Sequence, residues 1–170
     1  MTVRVRRVRP EELEAAGTVT VAAYAPYTLG PADPYVARLA DAAARDREAE
    51  VYVALEAGPG GEELLGCVTS CPPGSPWREL SRDDEGEFRM LAVRPDARGR
   101  GVGRLLVERC EERARAHGAR AVVLSSLREM APAHRLYERL GYRRLPARDW
   151  EPVPGVSLIA YRKELGDERA

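Results

Sequence analysis

Lysine is nearly missing from this chain of 170 residues: of 27 Lys and Arg residues only Lys163 is lysine. With Ala, Gly and Pro abundant, the bias is read as the mark of a GC-rich genome, so a surface arginine alone carries little functional weight. Net charge is missing too, since 27 acidic residues balance the 27 basic ones. With no acidic or basic tail either, bulk attraction to nucleic acid or to a membrane surface is excluded. The three cysteines, Cys67, Cys71 and Cys110, form no C-x-x-C pair, and neither of the two histidines stands at a zinc-like spacing from them. They read as structural thiols, and no metal is expected. No apolar run approaches membrane-spanning length, and the opening "MTVRVRRVRP" lacks the apolar centre of a secretory leader, so a cytoplasmic protein is expected.

What is there is ordinary globular composition, 44% hydrophobic and 32% charged. A chain of this length suits one domain over 1–170 and buries roughly 70% of its unfolded surface. "VRVRRV" (3–8) alternates as a half-exposed strand does. Pro10 with Glu11 and Glu12 opens a helix to about Tyr24, and 34–48 reads as a second helix. Residues 50–56 and 63–70 read as a hairpin around "GPGG" (58–61). The polar, Pro-rich 71–87 reads as a loop and 87–93 as a strand. From Gly101, Val102, Leu105, Leu106, Cys110 and Ala114 form a helical stripe closed by His117-Gly118. Then follow a buried strand (120–126), a short helix (131–141) and strands at 142–148 and 156–165. The pattern predicts an α/β fold: a mixed sheet with helices on both faces.

Between the strand at 87–93 and the helical stripe lies "RPDARGRGVGR" (94–104), with three glycines and four arginines against Asp96. The first amides of a helix are unpaired and carry the positive end of its dipole, so an anion such as a pyrophosphate fits there. The P-loop is excluded because no Gly-Lys-Ser/Thr closes the run. The dinucleotide pattern G-x-G-x-x-G fails from Gly99, where Arg104 takes the third glycine's place, and from Gly101, where Leu106 does. A nucleic-acid patch lacks interleaved aromatics. A plain Gly-rich turn stays open beside the cradle.

"RMLAVRPDARGRGVGRLL" resembles the acetyl-CoA-binding segment of the GNAT superfamily of N-acetyltransferases, and "AHRLYERLGYRR" (133–144) resembles its second signature. Together they cover 87–144. The resemblance implies a mostly antiparallel sheet that splays between the strands at 87–93 and 120–126, with acetyl-CoA as acyl donor. It places the diphosphate at Arg98, Gly99, Arg100, Gly101, Val102, Gly103 and Arg104, where side chains at Gly101 or Gly103 would block the amides. It places the pantetheine against the main chain of Leu91, Ala92 and Val93. One amide there would face the thioester oxygen.

The implied reaction is direct attack of a primary amine of a small molecule or peptide on the thioester. Deprotonating an alkylamine of pKa near 10.4 costs about 4.6 kcal/mol at pH 7, which calls for a base or a water chain. By resemblance Glu87 takes that role with Glu85 as runner-up, while an ion pair of Glu87 with Arg89 or a neighbour is the structural alternative. Tyr137 matches the family tyrosine that protonates the departing thiolate; packing with Leu136 and Leu140 is its structural alternative. The chain departs from the pattern at Met130, where many members carry Asn. His117 reads as a helix cap and His134, at i and i+3 with Tyr137, as a surface residue, with a proton relay as the alternative.

The acceptor walls implied are 24–35, 71–86 and 148–155. Their aromatics (Tyr24, Tyr27, Tyr35, Trp77, Trp150) and acids (Asp83, Asp84, Glu85, Asp149, Glu151) suit a cationic amine. Two rival readings are an acyltransferase for another short acyl-CoA and a coenzyme A-binding sensor without turnover. The resemblance leaves a homodimer open.

Overall fold

Valine–arginine alternation makes Val3–Arg7 the edge strand β1. A 3₁₀ turn at Pro10–Glu12 leads into α1 (Leu13–Tyr24). The expected single helix at 34–48 is two helices, α2 (Pro34–Ala40) and α3 (Ala42–Glu48), broken at Asp41. Asp41 leaves helical geometry at ψ 69° and its carboxylate accepts the Ala44 amide, so it starts the second helix by capping it. Two contacts hold the break. A side chain at Gly17 in α1 would meet the Ala40 carbonyl at 2.0 Å, so only glycine lets α1 and α2 lie this close. Arg45 of α3, 1% exposed, turns back to donate to the Arg38 and Leu39 carbonyls at 2.8 and 2.9 Å and to Thr69 Oγ1 at 3.1 Å.

The hairpin follows as β2 (Glu50–Gly58) and β3 (Gly61–Cys71). β4 (Glu85–Val93) begins two residues earlier than expected, and α4 spans Val102–Ala116. β5 (Ala121–Leu127), α5 (Ala131–Arg139), β6 (Arg143–Arg144) and β7 (Leu158–Glu164) complete the chain. The strand expected at 142–148 shrinks to β6, because Pro146 opens a 3₁₀ turn through Arg148. These elements come from a computed structural model that describes residues 2–166.

The seven strands form one open mixed sheet in the order β1-β2-β3-β4-β5-β7-β6. Only β4 and β5 run parallel. Alternation along β2 splits the core between the faces: Val51, Val53 and Leu55 pack under α1, while Tyr52 and Ala54 pack with Leu106, Val107 and Cys110 of α4. Helices thus cover both faces, as expected.

Far from the glycine turn, one ion cluster ties β4 to the end of the chain. Glu85, 2% exposed, accepts from Arg148 at 2.6 Å, Arg162 at 2.7 Å and the Arg82 amide at 3.0 Å. Burial disfavours its charge, but these donors outweigh that and hold its carboxyl at about 2. Glu85 is therefore a committed anion and not the alternative base. Its pKa lies below the unfolded value, so its contribution to stability is complete above about pH 5 and is lost as pH falls toward 2. Thermal unfolding of wild type and Glu85→Gln across pH 7 to 2.5 should show a gap in Tm that is constant above pH 5 and closes on acidification. A gap independent of pH would contradict this.

Candidate functional site

The site begins with a mismatch between neighbouring strands. β4 pairs with β5 only through Glu85–Ala121, Gly86–Val122 and Glu87–Val123, after which the two strands part. On its other side, β4 pairs Arg89 with Thr69 and Ala92 with Cys67, so three steps on β4 match two on β3. The extra residue is accommodated at Met90, the only non-glycine residue with positive φ (53°) among the described residues. This is a β-bulge at the mouth of the gap.

Arg94 donates its amide to the Leu65 carbonyl at 2.7 Å. Strand alternation then turns the main chain of Ala92 toward β3, and that of Leu91 and Val93 into the gap. Ala92 therefore departs from the expectation of cofactor contact: its polar groups belong to the β3 ladder, opposite Cys67. Leu91 and Val93 present unpaired amides and carbonyls to the opening.

Beside the gap, the glycine turn opens α4. Gly99 and Gly101 have φ of 75° and 79°, and Gly101 is the N-cap, with no side chain bonded over the helix end. The first intrahelical bond runs from the Leu105 amide to the Gly101 carbonyl, which leaves the amides of Val102, Gly103 and Arg104 free to face outward. Val102 itself is 1% exposed and anchors the turn. Gly103 is also required by packing: a side chain there would meet Leu136 at 2.9 Å and Val93 at 3.7 Å. The arginines divide as well. Arg100 pairs with the buried Glu56 and Arg104 with Glu108, whereas Arg98 makes no ion pair among the described residues. For Arg100 that leaves the main chain, not the guanidinium, for an anion.

Tyr137 lies 5% exposed on α5, with its ring 6.0 Å from those of Phe88 and Tyr142 and 5.9 Å from that of Tyr161. Its hydroxyl makes no hydrogen bond among the described residues, and burial raises its pKa. The phenol therefore keeps its proton at neutral pH and has it free to give. His134 is half-buried, not a surface residue: Nε2 bonds the Leu127 carbonyl and Ser126 Oγ at 3.0 and 3.1 Å. His117 ends α4 as expected, and Met130 takes the N-cap of α5.

Glu87 is 4% exposed and its carboxylate accepts the amides of Glu79 (2.9 Å), Leu80 (3.0 Å) and Ser81 (2.8 Å). Its carboxylate is spent on the loop before β4. The expected ion pair with Arg89 is absent, because Arg89 binds Glu79 at 2.8 Å. The sequence offered no signal for that partner. Glu79 has its pKa raised by burial, against the opposing charge of Arg89.

Around this pair, aromatics from two of the three segments expected to wall the acceptor come together, 24–35 and 71–86. Trp77, Met90, Tyr24 and Tyr35 share one cluster, and Tyr24 lies within electrostatic reach of Tyr137, Tyr35 and Arg89. Tyr27 and Trp150 are not in that cluster. Three of the five carboxylates expected there are engaged elsewhere: Asp84 pairs with Arg120, Asp149 with Arg144, and Glu85 with Arg148 and Arg162. All three cysteines are buried, and burial raises their thiols, Cys71 to about 12, so none is a nucleophile. No helix among the described residues is long and apolar enough to cross a membrane.

The sequence profile of the acetyltransferase (GNAT) family matches residues 19–142. N-acetylaspartate synthetase of Rattus norvegicus is 36% identical over 81 residues, 48% of this chain and 27% of that protein. The chain thus matches about a quarter of the length of that relative. Among solved structures, a GNAT-family acetyltransferase of Staphylococcus aureus superposes with a TM-score of 0.74 at 11% identity, covering 97% of this chain and all of that one. A Salmonella typhimurium acetyltransferase solved with its cofactor acetyl-CoA gives 0.67 at 22% identity, covering 100% and 98% of the two chains. At these identities the structures establish the shared fold.

The Glu87 cage generates a stability prediction. Glu87→Gln keeps the shape but replaces an anion by a neutral acceptor and adds an unpartnered N–H, so it should cost about 1.5–3 kcal/mol. Urea unfolding of the two proteins measures this, and equal stability would remove the loop-fastening role.

Proposed function

We propose, on the premise that the chain belongs to the acetyltransferase (GNAT) family, that it moves the acetyl group of acetyl-CoA directly to a primary amine. The observation that carries this is the bulged, splayed gap with its unpaired main chain beside the bare N-terminus of α4. Both features expose polar groups that a folded chain normally satisfies, and both fit one elongated ligand with an amide-bearing arm and a diphosphate. Acetyl-CoA supplies the activated acetyl group.

In this reading the free amides of Val102, Gly103 and Arg104, with Arg98, hold the diphosphate. Leu91 and Val93 take the arm as a neighbouring strand would. The Leu91 amide, fixed by the bulge, stands where negative charge grows on the thioester oxygen. Tyr137 gives its proton to the departing sulfur. Glu87 is a positioning residue: it fastens the loop 79–81, which sets the carboxyl of Glu79 beside the aromatic cluster. The raised pKa of Glu79 suits it to take the amine's proton, directly or through water. With the thiols buried, no covalent enzyme intermediate is needed.

Calorimetric titration with acetyl-CoA should show binding to wild type that is lost in Gly101→Glu, where a backbone φ of 79° disfavours any side chain and the carboxylate would repel the diphosphate. Absence of binding to wild type would refute the cradle. Tyr137→Phe should bind acetyl-CoA as wild type does, yet release thiol about a hundredfold more slowly, the low end for one general acid. An unchanged rate would take Tyr137 out of the chemistry.

A further inference from the structure

Trp77 is gripped by two guanidiniums. Arg38 of α2 lies 5.1 Å from the indole centroid and Arg89 of β4 lies 5.5 Å from it. Their situations differ. Arg89 is 13% exposed and already bound, its Nε to Glu79 at 2.8 Å and Nη1 to the Trp77 carbonyl at 3.3 Å. Arg38 is exposed and makes no ion pair among the described residues. The other carboxylate nearby, Glu48, accepts the indole N–H at 3.1 Å. Arg38 is held in place all the same, by stacking on Trp77 and by the helix break that Arg45 ties to the Arg38 and Leu39 carbonyls.

From this juxtaposition we infer that the acceptor is a carboxylate-bearing primary amine, of the α-amino-acid type, with Arg38 as the residue that reads its carboxylate. This rests on the N-acetyltransferase reading and names the substrate class of the same site. Arg38 offers a planar fork of N–H donors, pre-oriented on an aromatic face, that matches a carboxylate in two-point geometry. Glu79, held by Arg89 beside the same indole, has its second carboxylate oxygen to offer the ammonium. A zwitterion therefore finds both partners within one small site, its apolar stem against Trp77 and Tyr35. Arg89 adds positive charge at the position preceding Met90, whose bulge sets the thioester-facing amide. A polyamine or lysine-rich peptide would meet the free charge of Arg38 and find two of the outer-wall acids, Glu85 and Asp149, already held by other arginines. This replaces the cationic acceptor that composition suggested.

The test is thiol release from acetyl-CoA with matched amines: a set of L-amino acids, the same amino acids as carboxamides, and simple diamines. The amino acids should exceed their own carboxamides at least tenfold in kcat/KM. Arg38→Ala should raise KM for the best amino acid about ten- to a hundredfold, the span of a charge-assisted bond pair, and leave acetyl-CoA affinity unchanged. Arg38→Lys should recover part of the loss. The Arg38 side chain makes no hydrogen bond or ion pair among the described residues, so its removal costs the fold only the stacking on Trp77, and circular dichroism verifies that the fold is kept. Carboxamides or diamines used as well as amino acids, or an unchanged KM in Arg38→Ala, would overturn the inference while leaving the acetyltransferase intact. Bound acetyl-CoA with no release on any amine would instead overturn the transfer reading itself.

Discussion

One surplus residue in β4 organises the whole site. Because Met90 has no counterpart on β3, the strand swings away from β5 after only three paired positions. A parallel pair that stopped this early would normally leave a seam of unsatisfied amides, costly if buried. Here the seam is open, and it lies directly against the first turn of α4. The positive φ at Met90 is local strain of order 1–3 kcal/mol, offset by the packing of Met90 with Trp77, Leu39 and Cys71. A flat strand at this place would carry the same side chains and leave no gap.

Electrostatics divides the molecule into two ends. At the start of β4, Glu85, Arg148, Arg162, Arg144 and Asp149 neutralise one another and fasten the returning strands. At the bulge end, Glu56 takes Arg100 while Arg98 and Arg38 are left without carboxylate partners among the described residues. The chain has zero net charge, yet the unspent charge near the gap is positive. Buried carboxylates draw on main-chain donors where no arginine is in reach, as Glu87 does with three successive amides.

Legibility differed by element. α4 was plain from its apolar stripe and its glycines, and β2 and β3 from their alternation across a Pro-Gly turn. The break at Asp41 was not, because its cause is Ala40 lying against Gly17, a contact between distant segments. The 142–148 segment carried β-forming residues, but Pro146 and the ion pair of Arg144 with Asp149 turned it into a loop. In the site, the glycine turn and Tyr137 were visible as spaced residues. Glu87 was visible as an acid near the right strand end, but its orientation was not.

The sequence by itself determined the order of elements, the glycine turn that opens α4 and the likeness to an acetyl-transfer family, because each is written in neighbouring residues and short spacings. Tertiary structure decided which charges are spent and which are free. Arg100 and Arg98 read alike in the chain, as do Glu79, Glu85 and Glu87. They differ only because folding brings Glu56 to one, Arg148 to another and a row of amides to a third. A charge's chemistry is set by what stands within a few ångströms of it, and those neighbours come from remote parts of the chain.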